Sequence, residues 1–230
     1  MDPNSAATGS TALIFDLDGT LTDSKPGIVG CLRQVIDERG LDFPGPLDHF
    51  IGPPVEEWVR YLLPEGSEKD HEALARDYRS CYDREGWLNN SVYSGVREML
   101  VQLRAAGSAL YVCTSKHEHF AIRILEMFEL APYFAGIYGD RIEYVSHAKA
   151  DLLARILSER AIKPGNAWMI GDRRFDIEAA HANDLRCIAA GWGYGSAEEW
   201  EAANADAIAL TPEDVAGIVM EDRAIRLGSR

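Results

Sequence analysis

Apolar residues cluster along this chain in short runs of four or five, separated by longer stretches in which they recur at helical spacing. Thr11-Ala12-Leu13-Ile14-Phe15 is such a run. It is too short for a helix, it is closed by Asp16 and Gly19, and it predicts a strand buried on both faces. The same pattern predicts strands at Ala109 to Cys113, Gly136 to Tyr138, Ala167 to Ile170 and Arg186 to Ala189. Helical periodicity falls between them at Val96 to Ala105, Phe120 to Met127, Ala150 to Ser158 and Ile177 to Ala182. Strands that alternate with helices imply an α/β fold, a parallel sheet with helices on both faces.

The alternation stops between about Asp23 and Ser91. Here the pattern predicts helices at Ile28 to Arg39, Val55 to Leu63 and Glu72 to Arg84, with no convincing strand. Residues 1–22 and 92–230 are therefore expected to form the core, and 23–91 an all-helical insert. Lys25-Pro26-Gly27 and Leu88-Asn89-Asn90-Ser91 read as hinge linkers at its two edges.

Composition narrows the class. With 47% hydrophobic and 26% charged residues, 230 residues read as globular, enough for one α/β domain and a smaller attachment. A formal charge of −14 opposes binding to a nucleic acid polymer or an anionic membrane. The first ten residues, MDPNSAATGS, lack the basic and apolar regions of a secretory leader, and no apolar stretch approaches the roughly 18 residues of a membrane span. A cytoplasmic protein is expected. Cys31, Cys81, Cys113 and Cys187 contain no C-x-x-C spacing and read as buried free thiols.

In open α/β sheets ligands bind beyond the carboxyl ends of the strands, and those ends are unusually polar here. Asp16-Leu17-Asp18-Gly19-Thr20 follows the first strand, Thr114-Ser115-Lys116 the second, and Gly171-Asp172-Arg173-Arg174-Phe175-Asp176 the fourth, with Lys149 opening the helix before it. Any one of these motifs alone reads equally well as a turn or helix cap. Four of them together, three at strand ends and one at a helix start, do not.

D-x-D-G-T, Thr114, Lys149 and G-D-x-x-x-D, in that order, resemble the four signatures of the haloacid-dehalogenase-like superfamily, over about Thr11 to Ile218. Phe15 to Ser24, Gly52-Pro53-Pro54 and Gly191-Trp192-Gly193-Tyr194-Gly195 resemble its phosphoglycolate-phosphatase and 5′-nucleotidase-like branch. The resemblance implies a Rossmann-like core, a cap inserted between the first and second motifs, and hydrolysis of a small soluble phosphomonoester. It implies Asp16 as nucleophile and Asp18 as acid-base partner. Thr114, with Ser115 beside it, and Lys149 would bind phosphate. Mg²⁺ would be held by Asp16, the backbone carbonyl of Asp18 and Asp172, and Asp176 would hold it directly or through water or would orient Lys149.

Elementary electrostatics agrees. Two unit charges 4 Å apart repel by roughly 4 kcal/mol at an effective dielectric of 20. Three carboxylates against one lysine would therefore reject a phosphate dianion unless a hard divalent cation joined them. Other readings differ in single features. Dehalogenation does not need Asp18. A phosphonate hydrolase would need a cap lysine in an apolar setting, and the insert has only Lys25 and Lys69. A phosphosugar mutase shares the core motifs, and a phospho-acceptor module would lack the second carboxylate that hastens turnover. Lys116 reads equally as a substrate contact or a surface lysine. His117-Glu118-His119 reads as a solvated helix start, Trp168, Trp192 and Trp200 as core or loop anchors, and Glu221 to Arg230 as a frayed tail.

Overall fold

A computed structural model describes residues 11–53, 55–141 and 148–228. In chain order the elements are β1 (Ala12–Phe15), β2 (Thr22–Asp23), α1 (Lys25–Glu38), α2 (Val55–Leu62), α3 (Glu68–Arg84), β3 (Ser91–Val92), α4 (Val96–Ala105), β4 (Ala109–His117), α5 (Glu118–Met127), β5 (Gly136–Asp140), α6 (Lys149–Glu159), β6 (Ala167–Gly171), α7 (Arg174–His181), β7 (Arg186–Ala190), α8 (Ala197–Ala202), β8 (Ala207–Ala209) and α9 (Pro212–Gly228). Thr22–Ser91 is one compact unit, and the described residues before and after it form the other.

The larger unit is a six-stranded parallel sheet in the order β5-β4-β1-β6-β7-β8, a Rossmann-like α/β arrangement. Its central strand β1 is wholly buried, and this is why it reads as an unbroken apolar run. Alternate side chains feed opposite faces. Ala12 and Ile14 join Leu153, Ile156 and Ile177 of α6 and α7 in one core layer. Leu13 and Phe15, both fully buried, face the other way. Phe15 meets the ring of Phe134 edge-on. β8, α8 and α9 have no counterpart among the predicted elements.

Register fixes the site. Phe15 lies opposite Val112 on one side and Ile170 on the other, so the residues that follow β1, β4 and β6 emerge at one sheet edge. β4 runs four residues beyond its predicted end at Cys113, to His117, and its pairing with β5 is irregular between Cys113 and His117. Thr114, Ser115 and Lys116 thus sit on a disrupted strand end, where Thr114 Oγ1 accepts a hydrogen bond from the Lys116 N–H at 3.2 Å.

The smaller unit is helical, with β2 and β3 pairing as a two-stranded ribbon where the chain enters and leaves it. Two expectations fail here. Lys25-Pro26-Gly27 is no linker but the first turn of α1, where proline's missing N–H costs nothing. A Cβ at Gly27 would collide with the backbone of Gly86, so the segment is packed tightly. Cys31 and Cys81 are not free thiols: they form a disulfide between α1 and α3, and only the buried Cys113 and Cys187 remain free. The Gly52-Pro53-Pro54 motif ends at Pro54, outside the described residues.

The tail does not fray after Glu221, because α9 continues to Gly228. Its charges have distant partners. Asp222 accepts both terminal nitrogens of Arg186 at 2.7 and 2.6 Å, and Arg223 donates to the carbonyl of Ala106 at 2.7 Å. Glu118 is likewise buried, not solvated, and accepts from the Gly139 N–H and from Arg141. Trp168 and Trp200 are buried anchors, and Trp192 is tied by a hydrogen bond to the Thr20 carbonyl. Among the described residues no helix is long and apolar enough to cross a membrane.

Candidate active site

Asp16 leaves β1 with its N–H donated to Ile170 O at 2.9 Å, which carries the strand ladder one residue past the formal strand. Asp172 follows β6 directly. Asp176 lies in the first turn of α7, where its Oδ2 accepts the Arg173 N–H at 3.0 Å and so caps the helix. Carboxylate oxygens of Asp16, Asp172 and Asp176 come within 4.8 Å of one another, and all three residues are buried.

Lys149, the first residue of α6, enters this cluster. Its Nζ stands 2.9 Å from Asp16 Oδ1 and 2.5 Å from Asp176 Oδ1. Burial alone would pull the ammonium down, and the two carboxylates overcome it, holding Lys149 well above the usual lysine range. Asp16 is pushed up to about 6 by burial, opposed by Lys149 and reinforced by Asp176. Asp172 is raised well above the carboxylate range, first by burial and then by Asp176 and Asp16. One ammonium does not balance three buried carboxylates. The donor set, all carboxylate oxygen in a cradle a few ångströms across, fits a hard divalent cation such as Mg²⁺.

Asp172 is held on several sides. Its Oδ2 accepts the Tyr194 N–H at 2.8 Å, and the Thr20 hydroxyl lies 3.4 Å from Oδ1. Gly19 has φ +86 and brings its backbone so near that a Cβ would overlap the Asp172 carboxylate.

Thr114 is buried and Ser115 half-buried at the same sheet edge, placed there by the register of β4 with β1. Asp18 stands apart from the three-carboxylate cluster, since its side chain turns to Lys116, with Nζ 3.0 Å from Oδ2 and only 7% of that lysine side chain exposed. Lys116 is therefore a member of the site and not a surface lysine. Its position directly after Thr114-Ser115 is the only signal the sequence carries. No sequence signal ties Glu199 or Trp200 to the site, yet both contact the G-D-x-x-x-D segment. Trp200 Nε1 donates to the Asp172 carbonyl at 2.7 Å, and Glu199 accepts the Arg174 N–H at 2.8 Å.

Comparison with known proteins gives this arrangement its context. The profile of the haloacid dehalogenase-like hydrolases matches residues 13–190. The chain is 40% identical over 189 residues to the tyrosine-protein kinase PtkA of Mycobacterium tuberculosis, which covers 81% of this chain and 64% of that protein. It therefore spans just under two thirds of that relative's length. Identity to a 5′-nucleotidase of Pseudomonas aeruginosa is 34% over 192 residues, or 83% of this chain and 86% of the relative. Among solved structures, a predicted phosphatase from Clostridium acetobutylicum superposes with a TM-score of 0.85 at 32% identity, over 92% of this chain and 99% of that one. On the profile match and these identities, the chain belongs to the haloacid dehalogenase-like hydrolases.

Proposed function

We propose that this protein is a Mg²⁺-dependent phosphatase of small phosphomonoesters, with Asp16 as the nucleophile. The observation that carries the reading is the buried cluster in which one ammonium, Lys149, bridges Asp16 and Asp176 beside Asp172. Asp16, Asp172, Asp176 and the backbone carbonyl of Asp18 would hold the cation. When bound, the cation neutralises the charge that otherwise repels a phosphate dianion from Asp16. Asp16 attacks phosphorus in line, the ester oxygen departs, and water later cleaves the aspartyl phosphate. Asp18 protonates the leaving oxygen and then takes a proton from the attacking water. Lys149, with Thr114 and Ser115, faces the equatorial oxygens where negative charge spreads.

Phosphoglycolate-like molecules and nucleoside 5′-monophosphates are the substrate classes favoured by the branch resemblance and by the 5′-nucleotidase relative. We further propose that the helical unit decides which leaving groups are accepted. Replacing it with a short linker should remove any preference for small phosphoesters over phosphoproteins. The central test is phosphate release across a panel of small phosphoesters with Mg²⁺, by the native protein and by Asp16→Asn. Release by the native protein alone is expected. Turnover by a folded D16N variant would remove Asp16 as nucleophile.

The relative named a tyrosine-protein kinase favours a second reading, phosphoryl transfer to a protein hydroxyl. Labelled ATP separates the two: stable label on tyrosine supports the kinase reading, and free phosphate alone supports the phosphatase.

A further inference from the structure

Two adjacent residues of the short helix α8 grip the backbone on both sides of Arg173. Trp200, buried, donates its indole N–H to the Asp172 carbonyl at 2.7 Å. Glu199 accepts the Arg174 N–H at 2.8 Å and the Arg173 Nε–H at 3.0 Å. The side chain of Ser196 accepts the Glu199 N–H at 3.2 Å and so anchors the helix that presents them. β6 already fixes the chain before Asp172, through the pairing of Gly171 with Ala189. The next peptide lies past that last paired residue, and α8 contacts it there.

We propose that Trp200 and Glu199 are positioning residues which set divalent-cation affinity, and the preference for Mg²⁺ over Ca²⁺, by immobilising the Asp172-to-Arg174 backbone. The inference rests on the reading of Asp172 and Asp176 as metal ligands. Asp172 precedes the gripped peptide and Asp176 lies in the turn that Arg173 and Arg174 begin, so one clamp governs both carboxylates. A ligand set works only when held to about 0.5 Å and 10–20°. Mg²⁺ demands near-ideal octahedral geometry, whereas Ca²⁺ accepts irregular sets at longer distances. Loosening the clamp should therefore weaken Mg²⁺ more than Ca²⁺, a signature that general destabilisation would not give.

The test is calorimetric titration of the full chain, without substrate, with Mg²⁺ and separately with Ca²⁺. Trp200→Phe keeps an aromatic ring, though a smaller one, and removes the donor, a loss of size that the Trp168→Phe control shares. Glu199→Ala removes the acceptor from a partly exposed site, and it decides alone if the first variant does not fold. Trp168→Phe is the control, because Trp168 is equally buried but its Nε1 has no hydrogen-bond partner among the described residues. Loss of a partner that orients a metal ligand costs roughly 10–100-fold in affinity. The expected result is a Mg²⁺ Kd raised about tenfold in W200F and E199A. The Ca²⁺ Kd should move less than about threefold, and W168F should titrate like the native protein. Native-like Mg²⁺ binding by both α8 variants, equal loss of both ions, or equal loss in W168F would overturn the proposal. If the native protein binds no Mg²⁺, or Asp172→Ala binds it as tightly, the metal reading itself falls.

Discussion

Gly171 closes β6 one residue before Asp172, and its lack of a side chain makes room for Asp176. A Cβ at this position would overlap the Asp176 carboxylate, far inside the 3.0 Å that real Cβ contacts respect. Reaching an ordinary contact of 3.4–4 Å requires that carboxylate to retreat by more than about 1 Å. No backbone strain enters, because Gly171 is not among the positive-φ glycines. The displaced group holds Lys149 Nζ at 2.5 Å and caps α7 through the Arg173 N–H. Gly171→Ala should therefore cost about 1–3 kcal/mol for overpacking and about 1 kcal/mol for the damaged cap. At roughly 2–4 °C per kcal/mol for a domain of this size, the melting temperature should fall by about 4–16 °C. Activity should suffer more. Lys149 also holds Asp16 at 2.9 Å, and a misplacement of about 1 Å at such a site costs on the order of 100-fold. The assay is steady-state hydrolysis of a chromogenic phosphoester with saturating Mg²⁺, alongside a thermal melt. Gly165→Ala, where a Cβ meets nothing within 4 Å, is the matched control and should change neither. A G171A protein with native melting temperature and kcat/KM within about threefold of the native value would refute the steric argument.

Asp18→Asn should lose about 10²–10⁴-fold in kcat by removing acid-base help, and native-like kinetics would take Asp18 out of the mechanism. Exhaustive chelation should silence the enzyme and Mg²⁺ restore it, with Ca²⁺ a poor substitute; full activity after chelation would contradict the charge argument. Asp172→Ala should chiefly raise the Mg²⁺ concentration needed, whereas Lys149→Ala should lower kcat at saturating Mg²⁺, a contrast read from metal titrations of both variants. Protein purified without reductant should show two free thiols when unfolded in a thiol-reactive dye. Reducing Cys31–Cys81, 50 residues apart, should then lower stability by about 2–4 kcal/mol in denaturant melts. Four reactive thiols without reductant would remove the disulfide.

Local pattern encodes whatever depends on neighbouring residues alone. A strand buried on both faces must be apolar throughout, so Leu13, Ile14 and Phe15 announce β1, and three polar strand ends with a lysine at a helix start mark Asp16, Thr114, Lys149 and Asp172 as candidates for one site. Single-sequence pattern fails where an element owes its form to distant partners. α9 reads as a tail because its charges look solvated, and only the tertiary structure joins Asp222 to Arg186 and Arg223 to Ala106. Cys31 and Cys81 carry no spacing signal, because helix packing, not sequence separation, brings their Cα atoms to 5.7 Å. Lys116 and Trp200 are ordinary residues in sequence. Lys116 becomes part of the site through an irregular strand end beside Asp18, and Trp200 through an indole aimed at the Asp172 carbonyl. Which residues can do chemistry is written in their side chains, but which of them are held still enough to do it depends on long-range contacts that only the folded chain supplies.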